Sequence, residues 1–195
     1  LGELVQTNPM FEGGSILRVD YIGPNVGSEL VTKAILAVLL GCVGIMIYVM
    51  LRFEFAFALG AVLALFHDAI IALGAISLLD KDFTLTIVAA LLTIIGYSVN
   101  DTIIIFDRIR ENLKKGTEGG FSDIVNLSIN QTLARTILTS ATVFLVLIPL
   151  FFFGGSVIHD FAFVMIVGVL SGAYSTVFIA SAIVIWWRKR KGLPV

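Results

Sequence analysis

Asp101 is an acidic residue inside a long apolar stretch of the sequence, and two other apolar stretches also contain ionisable residues. An ionised side chain in the middle of a bilayer costs about 2.5–3.5 kcal/mol on insertion scales, so each such residue needs a partner or a function. The three places are Asp101 beside Asn100, Asp68 beside His67, and Arg135. A buried carboxylate near a cation can bind and release a proton, because burial and the cation act on it in opposite directions. These residue types predict proton transfer or buried ion pairing.

Asp101 and Arg135 are predicted to lie at a similar depth. Asp101 comes about six residues, or roughly 9 Å of helix, before the charged segment that begins at Asp107, and Arg135 follows that segment at the start of the next apolar stretch. Two interpretations are open. The two residues form a permanent salt bridge that fixes the helix register, or protonation of Asp101 frees Arg135 and lets the helices shift.

Other polar residues flank these two at helical spacing, which predicts a polar stripe on each helix. Tyr97 lies four residues before Asp101, and the residues around Arg135 are Gln131, Thr132, Thr136 and Thr139. His67 and Asp68 lie about eleven residues, or roughly 16 Å, into their own stretch, close to the bilayer midplane. They are either a satisfied buried pair or part of a relay.

The composition predicts an integral membrane protein. Hydrophobic residues make up 58% of the chain and charged residues 14%, against roughly 45–50% and 25% in a soluble domain. Five apolar stretches are each long enough to cross a bilayer as a helix, and they predict an all-α polytopic bundle. They cover residues 34–51, 58–79, 85–106, 133–153 and 161–187.

The distribution of lysine and arginine predicts the orientation. Basic residues are concentrated in the loops after the first and third spans and in the tail 188–195, so these parts are expected in the cytoplasm and residues 1–31 outside. Trp186 and Trp187 are expected at the membrane interface. Residues 1–31, with a β-like stretch at 15–22, are interpreted as the end of an outer α+β domain, followed by the bundle at 32–187. The first residue is Leu1, and we expect the chain to be part of a longer protein.

Several features complete the prediction. Gly168, Gly172 and Thr176 recur every four residues in the last span, a pattern that allows another helix to approach closely. Ser122 is expected to cap a short interfacial helix that leads into the fourth span. Cys42 is the single cysteine and is expected to be a packing residue.

The sequence has no recognisable nucleophile and base, phosphate loop or metal-ligand spacing, so neither an enzyme nor a metal or organic cofactor is expected, and nucleic acid is not an expected ligand.

Two ordered segments resemble the SecF family, the smaller membrane subunits of the SecDF protein-export complex. They are GYSVNDTIIIFDRIREN at 96–112 and SINQTLARTILTS at 128–140. Further similar segments are VDYIGPNVGSEL, LRFEFAFALGA, LFHDAI and FGGSVIHDFA. The resemblance implies the resistance-nodulation-division superfamily, with the five spans forming half of a bundle of six plus six helices.

The resemblance also implies a function. SecF proteins are accessory subunits of Sec translocation that use the proton-motive force to help preproteins leave the channel on the outer side of the bacterial inner membrane. Asp101 and Arg135, with Asn100, match positions implicated in proton transfer, and SecD would supply a further aspartate. The implied partners are SecD, SecYEG, preproteins and the lipid bilayer, with YajC and YidC as further candidates. The alternatives are half of a proton-coupled small-molecule exporter and a structural membrane scaffold.

Overall fold

The protein was analysed as a computed structural model that describes residues 24–192. Five helices in this range are long and apolar enough to cross a membrane, which confirms the predicted number of spans. The helical elements are α1 (Pro24–Arg52), α2 (Phe55–Leu78), α3 (Leu85–Lys114), α4 (Phe121–Phe153), α5 (Gly155–Ser175) and α6 (Ser181–Arg190), with a π-helical segment (Thr176–Ala180) between α5 and α6. The described residues form no strand, and the β-like stretch predicted at 15–22 lies outside them.

The helix ends follow from local sequence. Thr84 precedes α3 in an extended conformation, and its hydroxyl accepts a hydrogen bond from the Ile87 amide at 3.4 Å. Gly116, with φ of 65°, adopts the left-handed conformation just after α3, where a glycine avoids steric strain. Gly155, with φ of 69°, does the same at the start of α5, directly after α4.

The fourth span differs from the prediction. The segment around Ser122 is the first part of one continuous helix, α4, which runs through Pro149. The residue before this helix is Gly120, whose amide donates to Asp123 Oδ2 at 3.1 Å, so Ser122 is not the cap. Phe121 is buried in the core, which explains why this segment belongs to the bundle and is not a separate surface helix.

Two apolar clusters form the core of the bundle. The first lies near the ends of the helices that carry Arg52, Arg110 and the basic residues of α6, which we call the basic end, and it includes Phe57 and Phe106 with ring centroids 4.9 Å apart. The second cluster lies toward the opposite end. Between them, α2, α3 and the α5–π segment each contribute buried polar residues. This polar layer consists of Asp68, Ser98, Asp101, Thr102, Ser171, Ser175 and Thr176.

The glycine stripe allows α5 to pack closely on α3, as predicted. A Cβ atom placed on Gly168 would overlap the Ile94 side chain, and one on Gly172 would lie 3.2 Å from Ser98 Oγ. Thr176, the next residue of the stripe, has its hydroxyl 3.3 Å from the Thr102 hydroxyl. Small side chains in α5 therefore bring this helix against the polar residues of α3.

Helix α1 leaves much of its apolar surface exposed. Ile35 is 56% exposed and Leu40 62%, whereas Cys42 and Val49 are buried. Near the start of α1, Glu29 and Lys33 form an ion pair at 2.7 Å.

Polar and aromatic contacts join the helices at both ends. At the basic end, Arg52 pairs with Asp107 at 3.0 Å, and the Arg188 guanidinium lies 4.2 Å from the centre of the Phe121 ring. At the opposite end, Lys81 forms an ion pair with Asp160.

Candidate functional site

Asp68 is held by three serine hydroxyls from two other helices. Its side chain is fully buried, and its Oδ2 atom accepts hydrogen bonds from Ser98 at 2.6 Å and Ser175 at 2.7 Å. Its Oδ1 atom accepts from Ser171 at 2.7 Å. A buried carboxylate requires such donors, because each polar group left without a partner costs free energy. Asp68 therefore links α2, α3 and α5.

His67 lies beside Asp68 at the edge of the polar layer. Its Nδ1 atom is 3.2 Å from Asp68 Oδ1 and its side chain is 31% exposed. The Ser171 hydroxyl lies 3.5 Å from the same nitrogen, and the Tyr174 ring centroid is 6.2 Å from that of the imidazole. In the neutral tautomer protonated at Nδ1, His67 donates to Asp68.

Asp101 has a very different environment. It is only 1% exposed, yet within residues 24–192 its Oδ1 atom has no hydrogen-bond partner. The next residue, Thr102, donates to the Ser98 carbonyl at 3.1 Å. Asp101 is thus a buried acid whose Oδ1 atom forms no hydrogen bond with the described residues.

The contacts between α3 and α4 determine which residues share a level. Tyr97 donates to Ser140 across the two helices at 3.5 Å, and Arg108 donates to Gln131 at 2.7 Å. In this antiparallel register Asp101 is level with residues 136–138 of α4, and Arg135 is offset from it toward the basic end, opposite residues 102–104 of α3. The equal depth expected for Asp101 and Arg135 stays a prediction.

Arg135 does not pair with Asp101 in the part of the chain that the structure describes. Its side chain is exposed, whereas Thr136 is 3% exposed and its hydroxyl, like Asp101 Oδ1, has no partner there. Neighbouring helical residues point about 100° apart, and it is Thr136 that occupies the buried position. Asn100 is exposed for the same reason. The suggested salt bridge is therefore absent from the described residues.

Arg135 lines an open groove between α3 and α4. The groove has a volume of about 430 Å³, and its other lining residues are Ile104, Asp107, Arg108, Glu111, Gln131 and Thr132. Gln131 accepts hydrogen bonds from Arg108 and, at 2.9 Å, from Asn112. The hydroxyl of Thr139 donates to the Arg135 carbonyl at 2.8 Å, which is a hydrogen bond within α4. The groove is a charged recess, and its lining residue closest to Asp101 along α3 is Ile104, three residues away.

The described residues contain no group of three or more His, Cys, Asp and Glu side chains placed to hold a metal ion. Their buried polar side chains are two carboxyl groups, one amide and ten hydroxyls.

Sequence reasoning missed the three serines around Asp68. Ser171 and Ser175 are four residues apart and flank Gly172, so their spacing and position next to the glycine stripe were a usable signal. Ser98 gave no comparable signal, because a serine in an apolar helix can bond to its own backbone.

The sequence model of the family described as "Protein export membrane protein SecD/SecF, C-terminal" matches residues 5–190. The chain therefore belongs to the SecD/SecF family of protein-export membrane proteins.

Within this family, similar curated relatives are protein translocase subunits SecF, which confirms the resemblance inferred from the sequence. The subunit from Calditerrivibrio nitroreducens is 53% identical over 169 residues, which cover 86% of this chain and 56% of that protein. The Vibrio alginolyticus subunit is 50% identical over 88% of this chain and 55% of its own length. The Koribacter versatilis subunit is 45% identical over 96% and 46%, respectively. The chain thus spans about half the length of these relatives.

Two solved structures have the same fold. The crystal structure of SecDF, a translocon-associated membrane protein from Thermus thermophilus, matches with a TM-score of 0.81 and 46% identity, over 87% of this chain and 24% of that one. SecDF in its super-membrane-facing form also matches with a TM-score of 0.81, at 39% identity, over 98% and 26%. These matches confirm the predicted helical membrane bundle.

Proposed function

We propose that this chain is the membrane bundle of a SecF-type subunit that uses the proton-motive force to assist protein export by the Sec system in the bacterial inner membrane. The relatives are named as protein translocase subunits, and their names support a role in export. The observation that supports the use of the proton-motive force is Asp101. This residue is a buried acid in a membrane-spanning helix, and its Oδ1 atom has no hydrogen-bond partner in residues 24–192.

Protonation of Asp101 would remove a buried charge and change the forces between the helices. A proton that crosses a potential of about 100 mV yields about 2.3 kcal/mol, enough to shift a two-state equilibrium about fiftyfold. Thr136 is level with Asp101 and also has a hydroxyl without a partner in the described chain, so a small movement of α3 against α4 can satisfy both groups. Energy from the gradient would thus be converted into helix movement, without covalent chemistry.

Protons would leave Asp101 through the groove lined by Arg135. By the positive-inside rule the basic end faces the cytoplasm, the side toward which the proton-motive force drives protons, and the groove contains residues of that end. Arg135 carries a permanent charge in this groove, and it would repel protons unless Asp107 and Glu111, which line the same groove, balance it. Arg135 is therefore assigned the role of regulating proton release, together with Asn100, which is exposed on α3.

SecD is the partner that best fits the exposed polar residues. Asn100 and Arg135 are exposed on helices that span the membrane, where contact with lipid would be costly, so a second protein surface is expected to cover them. The related solved structures are of SecDF, which agrees with this assignment. Export would further involve SecYEG, preproteins and, as candidates, YajC and YidC.

The test is the export of a secreted preprotein into inverted membrane vesicles that contain Asp101→Asn in the full-length subunit. We expect the complex to assemble and the stimulation of export by the proton gradient to fall on the order of 100-fold, since a positioned proton-transfer group contributes about that much. The matched control is Asp82→Asn, which changes an exposed aspartate in the loop before α3, far from the groove.

Normal stimulation of export in Asp101→Asn would contradict the proposal. Failure of the variant complex to assemble would instead favour the scaffold alternative, in which buried charges serve only the packing of the helices.

A further inference from the structure

We propose that His67 and Asp68 form a second proton-binding site, a relay within the polar layer that operates in series with Asp101. This inference rests on the proposed proton coupling, but it concerns a different pair of residues. The imidazole is partly exposed and the carboxylate is fully buried, so the pair connects the surface of the described bundle to its interior.

The geometry allows a balanced proton transfer. His67 Nδ1 lies 3.2 Å from Asp68 Oδ1, within reach for hydrogen bonding. In the tautomer that donates to Asp68, the other ring nitrogen, Nε2, is a free acceptor. A proton supplied by the gradient binds to Nε2, the Nδ1–H bond breaks as its proton moves to Asp68 Oδ1, and an O–H bond forms there. The imidazole is neutral before and after this step, and the carboxylate has become a neutral acid.

The serine hydroxyls can satisfy Asp68 in both protonation states. Ser175 has a second acceptor, the Gly172 carbonyl, at 3.3 Å, and it can donate there once Asp68 carries a proton. Ser171 lies 3.5 Å from His67 Nδ1, the nitrogen that has just lost its hydrogen. Rotation of these two hydroxyls thus replaces the bonds that the anion accepted, without moving a helix. A site that supports both states at little cost in hydrogen bonding can exchange protons rapidly.

The relay lies next to Asp101 along α3. Ser98, which donates to Asp68, is three residues before Asp101, a separation of about 4.5 Å along a helix. Thr102, the residue after Asp101, donates to the Ser98 backbone carbonyl and lies 3.3 Å from the Thr176 hydroxyl, so buried hydroxyls lie near both acids.

Few other ionisable groups surround the relay in the described range. Tyr174 of α5 faces it with its ring close to His67, and Asp101 lies three residues after Ser98, the α3 residue that donates to Asp68. The charged residues of α6 begin at Arg188, at the basic end of the bundle.

The first test measures proton uptake by the complete complex in liposomes with an imposed pH gradient. We expect His67→Gln to slow uptake roughly tenfold or more while assembly and the unfolding temperature stay unchanged, because glutamine keeps a polar side chain but cannot pass a proton through a ring. The matched control is His159→Gln, which changes the other histidine of the chain, one that bonds to the Phe151 carbonyl. Uptake in His67→Gln equal to that of the wild type overturns the relay.

The second test uses infrared difference spectroscopy of the same complex during a pH titration. We expect two signals from buried carboxylic acids, one that disappears in Asp68→Asn and another that disappears in Asp101→Asn. A spectrum that Asp68→Asn leaves unchanged would show that Asp68 binds no proton, and the relay would be rejected. If Asp68→Asn fails to assemble, the uptake measured with His67→Gln decides. Because this signal does not depend on export, the relay and the proposed function can fail separately.

Discussion

Asp68 and Asp101 are both buried in the polar layer, but only Asp68 has its partners within the described part of the chain. Three serine hydroxyls and an imidazole surround Asp68, whereas Asp101 Oδ1 has no partner in residues 24–192. The difference shows that one acid belongs to a complete packing unit and the other to a site that something else completes. A proton, a helix movement or a residue of SecD can do so, and each is consistent with the proposed transport role.

The largest expected difference between the two acids is in stability. Asp68→Ala leaves three buried hydroxyls without their acceptor, and we expect the free energy of unfolding to fall by about 3 kcal/mol or more. Asp101→Ala removes a buried acid with an unsatisfied oxygen, and we expect a change of less than about 1 kcal/mol. Denaturant titration of the purified subunit in detergent would measure both. Equal losses would mean that Asp101 has a stabilising partner after all.

Packing provides a second, smaller contrast. Gly168→Ala forces a Cβ atom into the Ile94 side chain where α5 meets α3, and we expect a loss of about 1–3 kcal/mol. Gly96→Ala, on the same α3 helix near Asp101, meets nothing within 4 Å, and the higher helix propensity of alanine is expected to stabilise the protein by up to about 1 kcal/mol. The same unfolding measurement applies. Stabilisation by both substitutions would show that the close approach of α5 is not required.

The smallest expected effects concern single hydroxyls near each acid. Ser98→Ala removes one donor from Asp68, and we expect it to cost about 1 kcal/mol. Thr136→Val replaces a buried hydroxyl that has no partner in the described range, and we expect it to be neutral or to stabilise by less than about 1 kcal/mol. Thermal unfolding of the two variants, measured side by side, would show whether the change in stability has opposite signs. A clear loss in Thr136→Val would indicate that its hydroxyl bonds to Asp101 in the membrane.

The sequence predicted those features that depend on length and composition. The five spans follow from apolar runs of sufficient length, and the close approach of α5 follows from the spacing of Gly168 and Gly172.

The sequence did not predict which way the side chains point. Each residue turns a helix by about 100°, so an error of one position moves a side chain to another surface, and Arg135 is exposed where Thr136 is buried. The meeting of Ser98, Ser171 and Ser175 on Asp68 depends on the rotation of three helices at once. Single-sequence periodicity does not contain that information.

The π segment between α5 and α6 affects the side of the last span on which its buried residues lie. In this span a series of buried residues recurs at four-residue intervals, namely Gly168, Gly172, Thr176, Ala180 and Val184. In a regular α-helix this spacing would drift by about 40° at each step, and the line of buried residues would wind around the helix. The wider turn of the π segment turns each residue through a smaller angle and cancels part of that drift. The wider turn at Thr176–Ala180 thus reduces the rotation between Gly168, which meets Ile94 of α3, and Ala180, which meets Gly60 of α2.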